Sequence, residues 1–430
     1  MSLHALRTRE SIGPANRAAA LTLVLAVLLL PATAVSGQEQ ETAATSNDEA
    51  SDAGGAEGTS EATGEPSGSK GILAEPIQVG DDLRFQFGGF VKTDLMQDLD
   101  PIGNAYQFKV NSIPIEGTPE SLAGGRTTFS ARQTRLTVDM RTAESAGGVR
   151  AYVETDFFGD GNSLRIRHAF GEWKGLMAGQ NWSTFQDIET RPATLDYEGP
   201  DSEVFVRQVM VRYTGRPSEE LEWSVALEDP DSQVTVGSDV VGSGRSQIPD
   251  FAGRAKFKGS WGQFQAAGLL RQIRFVSDDG LVNETTGGYG INVAAKLNLG
   301  SSDALMGHFA VGSGIGRYIE VFNGTGTDAT LTPDGKLEAM SAYGFVAGFT
   351  HHWDSQLQST LSGGLAHVGN EASQPDDAIQ EARSVHLNLV YAPIPLVNIG
   401  GEVMWGERVN KNGDKGSAVR LQFQVTYKFR

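Results

Sequence analysis

The 430-residue chain contains no cysteine, so no disulfide framework can hold it together. Long apolar runs are also missing. The only one, Ala18 to Leu30 in "AAALTLVLAVLLL", is shorter than the ~20 residues that a spanning helix needs, and no later stretch could cross a membrane as a helix. Basic patches of the kind that grip nucleic acid are absent: 35 Lys and Arg stand against 53 Asp and Glu, a net charge of -18 that makes nucleic acid a poor partner. No G-x-S-x-G occurs and the seven histidines are scattered, so the nucleophile-and-base arrangement of a hydrolase is not written here.

What is present begins with Arg7, Arg9 and Arg17, then the apolar run, then "PATAVSG". That order of charged, apolar and small residues is a secretory signal peptide, with cleavage near Ala34 or Gly37; the alternative is a membrane anchor, which the short run disfavours. Residues 38–70 follow with eight acidic residues, one lysine and no aromatic. Such a segment buries too little apolar surface to offset its ordering entropy. The chain therefore divides into a signal peptide (1–37), a disordered acidic linker (38–72) and a folded domain (73–430). Part of the net charge belongs to the linker, so the total says little about a binding site. An exported chain without cysteine fits a Gram-negative envelope protein stabilised by closed backbone pairing.

From Leu83 onward the hydrophobic period is close to two, and sixteen candidate strands can be traced. In "ARQTRLTVDMR", Thr134, Leu136, Val138 and Met140 share one face, and Gln133, Arg135, Thr137, Asp139 and Arg141 the other. "VRAYVETDF" sets Val149, Ala151, Val153, Thr155 and Phe157 against Arg150, Tyr152, Glu154 and Asp156. The closing "AVRLQFQVTYKFR" puts Val419, Leu421, Phe423, Val425, Tyr427 and Phe429 opposite Arg420, Gln422, Gln424, Thr426 and Lys428. Both faces are too extreme for a shared dry core. A barrel in lipid turns the apolar face outward and the polar face toward a water-filled lumen.

The connections carry a second pattern. Short turns such as "AESAGG", "WKG", "KGSWG" and "GSSD" alternate with longer polar loops near residues 96–125, 182–203, 229–250, 277–287, 312–340 and 369–381; only "GDGN" and "ERVNKNGDKG" are brief on the long-loop side. Tight turns at one rim and long loops at the other describe an up-and-down transmembrane barrel. Trp173, Trp182, Trp223, Trp261, Trp353 and Trp405 all fall at or near strand ends, as an interfacial girdle requires. The fold class is thus all-β, an antiparallel barrel of about 16 strands in the bacterial outer membrane. Its last strand is expected to pair with its first, leaving no edge.

Five segments taken together, "RQTRLTVDM", "RIRHAFGEWKGLMAGQNWSTF", "GGYGINVAAKLNL", "GSGIGRYI" and the stretch from His386 to Phe429, resemble the DcaP-like family of trimeric Gram-negative porins. The likeness runs from about Phe85 to Phe429. It implies a sixteen-stranded barrel, a homotrimer, an inward-folded third loop that narrows the lumen, and uptake of small, often anionic organic molecules. Members often carry a helical, coiled-coil segment before the barrel, where this chain has its acidic linker.

Permeation needs a hydrated constriction whose charges favour one solute class without trapping it. Parity points Arg135, Arg150, Arg165, Arg167, Arg212 and Arg420 into the lumen as a basic wall, with Asp139, Glu154 and Asp156 beside them. The resemblance matches Arg135 ("TRL") and Arg167 ("RHAF") to the constriction arginines of trimeric porins. Guanidinium groups stay charged and grip carboxylates bidentately. The competing reading is that these arginines only neutralise the neighbouring acids. The third loop offers Asp187, Glu189, Asp196, Glu198, Asp201 and Glu203, which opposite a basic wall would set up a transverse field. "DFFGDGNS" lacks the spacing of a calcium loop and reads as a tight turn through Gly159 and Gly161; His351 and His352 point to opposite faces, so no metal or cofactor is expected.

The expectation is a porin for small hydrophilic solutes that favours anionic organic acids such as dicarboxylates, partnered by outer-membrane lipid and two further copies of itself. The alternatives are a non-selective or weakly cation-selective porin, or a structural barrel without transport. A barrel this wide leaves an aqueous channel unless something fills it.

Overall fold

The computed structural model describes residues 76–429. The signal peptide and acidic linker expected from the sequence lie outside the described residues. Strand β1 is Leu83–Asp98, β2 comes in two pieces, Thr127–Ser130 and Arg135–Thr142, β3 is Val149–Asp156, β4 Arg165–Trp173, β5 Leu176–Trp182, β6 Arg207–Gly215, β7 Leu221–Glu228 and β8 Asp250–Gly259. The second half continues with β9 Gly262–Ser277, β10 Asn283–Leu299, β11 Asp303–Ser313, β12 Ser341–His352, β13 Leu357–Val368, β14 Ile379–Ile394, β15 Val397–Asn410 and β16 Lys415–Lys428.

Each strand pairs antiparallel with its sequence neighbours, and β16 returns to β1 from Phe90↔Lys428 to Asp98↔Arg420. The barrel is closed by sixteen strands, as the alternation implied. Closure leaves no open row of amides for a hydrocarbon environment that cannot satisfy them. Where β16 ends, the short strand Ile77–Val79 folds back on Phe85–Leu83 and extends the ladder.

The two faces follow the sequence parity. Leu136, Val149, Val153, Val209, Val211, Leu227, Ile291, Leu387 and Tyr427 stand exposed on the outside, whereas Arg135, Glu154, Asp156, Glu402 and Arg420 are buried within the barrel. Lipid covers such an outer face. The β4–β5 turn shows why the short rim can be so tight. Lys174 (φ 48) and Gly175 (φ 82) both adopt left-handed conformations, the geometry of a two-residue hairpin whose twist matches the strands.

Long connections cluster at the other end: L1 (99–126), L3 (183–206), L4 (229–249), L6 (314–340) and L7 (369–378), with the shorter L2 (157–164), L5 (278–282) and L8 (411–414). L5 departs from the expected long loop at 277–287. Asn283 to Thr286 instead continue the ladder opposite Val276 to Ile273, so polar residues extend these two strands beyond the apolar band. L4 and L6 also build a three-stranded sheet from Val234–Thr235, Ala329–Leu331 and Leu337–Ala339.

The tryptophan girdle holds for five of six. Trp173, Trp223, Trp261 and Trp353 are exposed at the short-turn rim and Trp405 nearer the loop end, but Trp182 is 6% exposed, inside the barrel, 5.3 Å from the His168 ring and 4.7 Å from Phe205. It lies where L3 departs inward, so its ring packs under the loop rather than at the lipid interface.

Candidate pore constriction

L3 folds into the lumen because the inner wall gives it room and donors. Its start is pinned by Glu228 of β7, which accepts from Ser183 Oγ (2.7 Å) and the Thr184 N–H (2.7 Å). A short turn at Ile188–Thr190 is capped by Asp187, whose side chain accepts from the Glu189 N–H. The loop then crosses to the far wall, where the Leu195 N–H donates to Glu402 of β15 (2.7 Å) and the Leu195 carbonyl accepts from Lys92 of β1 (2.6 Å) and Gln422 of β16 (3.2 Å). Small residues on the inner faces make the approach possible. A Cβ on Gly344 of β12 would stand 2.3 Å from the Ser202 carbonyl, and one on Gly348 would stand 2.5 Å from the Pro192 ring.

The predicted arginines form three groups. Arg167 is fully buried; its Nε contacts Glu154 at 2.6 Å, and its Nη1 contacts Asp156 at 3.3 Å and the Tyr197 hydroxyl at 2.6 Å. Arg165 joins it on Asp156 (2.7 Å) and Tyr197 (3.1 Å), Arg207 reaches the same hydroxyl at 2.7 Å, and Arg135 lies 3.8 Å from Glu154. The first group thus unites β2, β3, β4, the start of β6 and Tyr197 of L3. A second group, nearer the short-turn rim, holds Arg150 and Arg141 on Asp139, each at 2.9 Å, with Arg150 also 3.8 Å from Glu172. The same rung carries Arg212 on β6. Arg420 is apart from both, bound to Asp98 at 2.5 Å on β1 and to the Asn104 carbonyl of L1.

One local feature makes the Arg167 cluster. The β3–β4 ladder slips between Glu154 and Thr155, which pair with His168 and Ile166, so Arg167 occupies a bulge. Arg167 and His168 consequently both point inward, at 0% and 2% exposure. Strict alternation would have sent one of them to lipid.

The acids of L3 do not line up against this wall. Asp187 and Glu189 face β8, with Lys256 Nζ at 3.0 and 3.4 Å and Lys258 Nζ 3.1 Å from Glu189. Although burial pushes the Glu189 carboxyl upward, these two lysines hold it below its ordinary range. Asp196 and Asp201 accept the Phe108 and Val110 N–H groups of L1, Glu198 takes Gln107 and Lys109 from L1, and Glu203 takes Arg191 at 2.6 Å. Burial raises Asp196 to about 6 and Asp201 and Glu203 to about 7, and takes Glu198 well above the carboxylate range. Buried carboxylates go where donors are, and the donors here belong to L1 and β8. Tyr197, a residue that parity could not single out, is what meets Arg165 and Arg167. Arg254, Lys256 and Lys258 also went unread, although their spacing in "DFAGRAKFKG" puts all three on one face.

L1 and L6 fill much of the remaining space. Phe108, Val110 and Ile113 of L1 and Ile315, Tyr318, Ile319, Val321 and Phe322 of L6 pack with L3 and with Ala252, Ala310, Ala342, Ala366 and Ala382 of the wall as one apolar cluster. An ionic knot ties L6 down: Arg317 Nη2 to Asp250 at 3.0 Å, Arg271 Nη1 to Asp328 at 3.1 Å, and the Tyr318 hydroxyl to Asp250 at 2.8 Å. Among the described residues, it is loops that narrow this barrel.

A closed sixteen-stranded transmembrane barrel with a loop folded into a charged lumen defines an outer-membrane porin. The chain belongs to the DcaP outer membrane protein family, whose profile it matches over residues 63–429. Its fold is similar to the outer membrane channel DcaP of Acinetobacter baumannii (TM-score 0.71, 20% identity, covering 82% of this chain and 99% of that one). It is also similar to an anion-selective porin from Comamonas acidovorans (0.52, 11%, 81% and 100%) and to Salmonella typhi OmpF (0.52, 12%, 83% and 100%). No curated protein matches the chain. Family and fold are those of a channel.

Proposed function

We propose that the porin passes small hydrophilic solutes by passive diffusion and favours anionic organic acids, dicarboxylates among them. One observation carries the sign. In three ion pairs along the wall and its short-turn mouth the arginine is the water-facing member, Arg141 at 41% against Asp139 at 14%, Arg165 at 35% against Asp156 at 0%, and Arg216 at 44% against Glu222 at 8%, whereas Glu172 and Glu189 are the more exposed members opposite Arg150 and Lys256. At these three places a solute meets a guanidinium group first, and guanidinium suits carboxylates. The buried acids hold the arginines in place and leave their outer donors to solute.

In this reading Arg135 and Arg167 organise the narrowest passage, with Arg165, Arg150 and Arg212 along the route and Arg420 fixing L1. Asp139, Glu154 and Asp156 orient the arginines, while Asp187, Glu189, Asp196 and Glu198 shape L3. A homotrimer fits family membership, and a structurally similar protein, OmpT of Vibrio cholerae, is known in a trimer form.

The test is the reversal potential across a planar bilayer in a salt gradient, wild type beside Arg141→Ala with Arg165→Ala. Anion preference that falls in the double variant is expected. Cation preference indifferent to it would replace this reading with that of a general porin, and absence of conductance would leave a structural barrel.

A further inference from the structure

Where L1, L3 and L6 meet, four carboxylates are buried together. Glu198, Asp201 and Glu203 of L3 are each 1% exposed and Glu320 of L6 is 9% exposed. Lys109 of L1 stands 3.4 Å from both Glu198 and Glu320, and Arg191 stands on Glu203. Backbone and side-chain bonds run through the same place. The Glu320 N–H donates to the Glu203 carbonyl (2.9 Å), the Val321 N–H to the Asp201 carbonyl (2.8 Å), and Asn111 Nδ2 to the Val321 carbonyl (2.8 Å).

The other charged groups nearby are committed elsewhere. Arg420 of β16 is bound to Asp98, His386 of β14 to Glu402 of β15, and Arg317 of L6 to Asp250, while His308 of β11 accepts the Val204 N–H and so is neutral. Asp196 adds a further acid from L3. Four carboxylates, themselves nine-tenths or more buried, thus face two cations, of which Lys109 reaches water at 31% exposure. Full ionisation would leave a surplus of buried negative charge, which folded proteins avoid by taking up protons.

Resting on the reading of the barrel as a conducting pore, we propose that this junction is a proton-linked latch: protonated, it holds L1 and L6 down in the lumen, and ionised, it releases them and widens the passage. The sign follows from linkage. The latched state binds protons more tightly than loops lifted into water, so the latch is firm in acid and weakens as pH rises from the ordinary carboxylate range to about 7, where Asp201 and Glu203 titrate in place. Each released proton shifts the equilibrium by up to about tenfold per pH unit over that window. Release frees Phe108 and Phe322, now at 0–1% exposure, from the lumen, while Tyr318 stays with Asp250 in the ionic knot at the start of L6.

The experiment is bilayer conductance of the full protein at pH 5, 6, 7 and 8, beside Glu198→Gln with Asp201→Asn, which mimics the protonated pair. Wild-type conductance is expected to rise several-fold between pH 5 and 8, and the variant to stay near the acid level throughout. Conductance that is measurable but flat overturns the latch and leaves the porin standing; none at any pH overturns both. Because the chain has no cysteine, a second measurement does not depend on that variant folding. Val321→Cys, buried in the junction, should react with a maleimide far faster at pH 8 than at pH 5, relative to Asp334→Cys on the exposed L6 tip. Equal relative labelling at both pH values would also overturn the latch.

Discussion

Arg167 is the residue on which most of the constriction depends. A guanidinium at 0% exposure holds Glu154, Asp156 and the Tyr197 hydroxyl at once, and so joins β3, β4 and L3. Truncating one partner of a buried pair leaves its counter-charges unmatched, which costs about 3 kcal/mol or more. Arg165 and Arg135 stay close enough to offset part of that loss on Asp156 and Glu154. Arg167→Ala is therefore expected to lower the urea midpoint of the barrel in lipid vesicles clearly but not to prevent insertion. Adding Glu154→Gln should recover part of the loss, because it removes one of the stranded charges. An Arg167→Ala midpoint equal to wild type would mean that the pair breaks even against water.

Among elements, L3 is set by what the wall omits. Gly344 allows the Ser202 carbonyl to lie where a side chain would stand, so Gly344→Ala must displace either L3 or β12. Overpacking of this kind costs about 1–3 kcal/mol. Its functional trace is expected in the pore: single-channel conductance should change in Gly344→Ala, whereas Gly268→Ala, whose Cβ meets nothing within 4 Å, should conduct like wild type. Matching conductance in the two variants would deny that the β12 wall seats L3. The strands themselves were legible because a period of two survives translation into an outer and an inner face, as in β2, β3 and β16. What escaped was anything that breaks or ignores that period. The Arg167 bulge adds one residue to β4, Asn283 to Thr286 form strand without an apolar face, and Trp182 packs under a loop instead of meeting lipid. Loop interiors were least legible, since Tyr197, Phe108 and Tyr318 acquire their roles from wall residues distant in sequence.

On the scale of the whole molecule, charge total and charge placement separate. The chain carries a net -18, yet in three of the wall's ion pairs the side chain that reaches water is an arginine, with its acid set behind it. If the whole-chain charge governed permeation, the pore would prefer cations. The proposed anion preference comes instead from local groups that are partly hydrated, and hydrated charges are screened by salt. With a Debye length of about 10 Å at 0.1 M and about 3 Å at 1 M, the field of Arg141, Arg165 and Arg216 spans much of a narrowed lumen in dilute salt and little of it in concentrated salt. The permeability ratio of chloride to potassium, taken from reversal potentials at fixed gradient, is thus expected to be largest near 0.1 M and to approach the bulk value near 1 M. A ratio that does not change with salt would assign selectivity to buried groups such as Arg135 and Arg167, which solvent ions cannot screen, and would move the selective step from the arginine-lined walls to the L3 constriction.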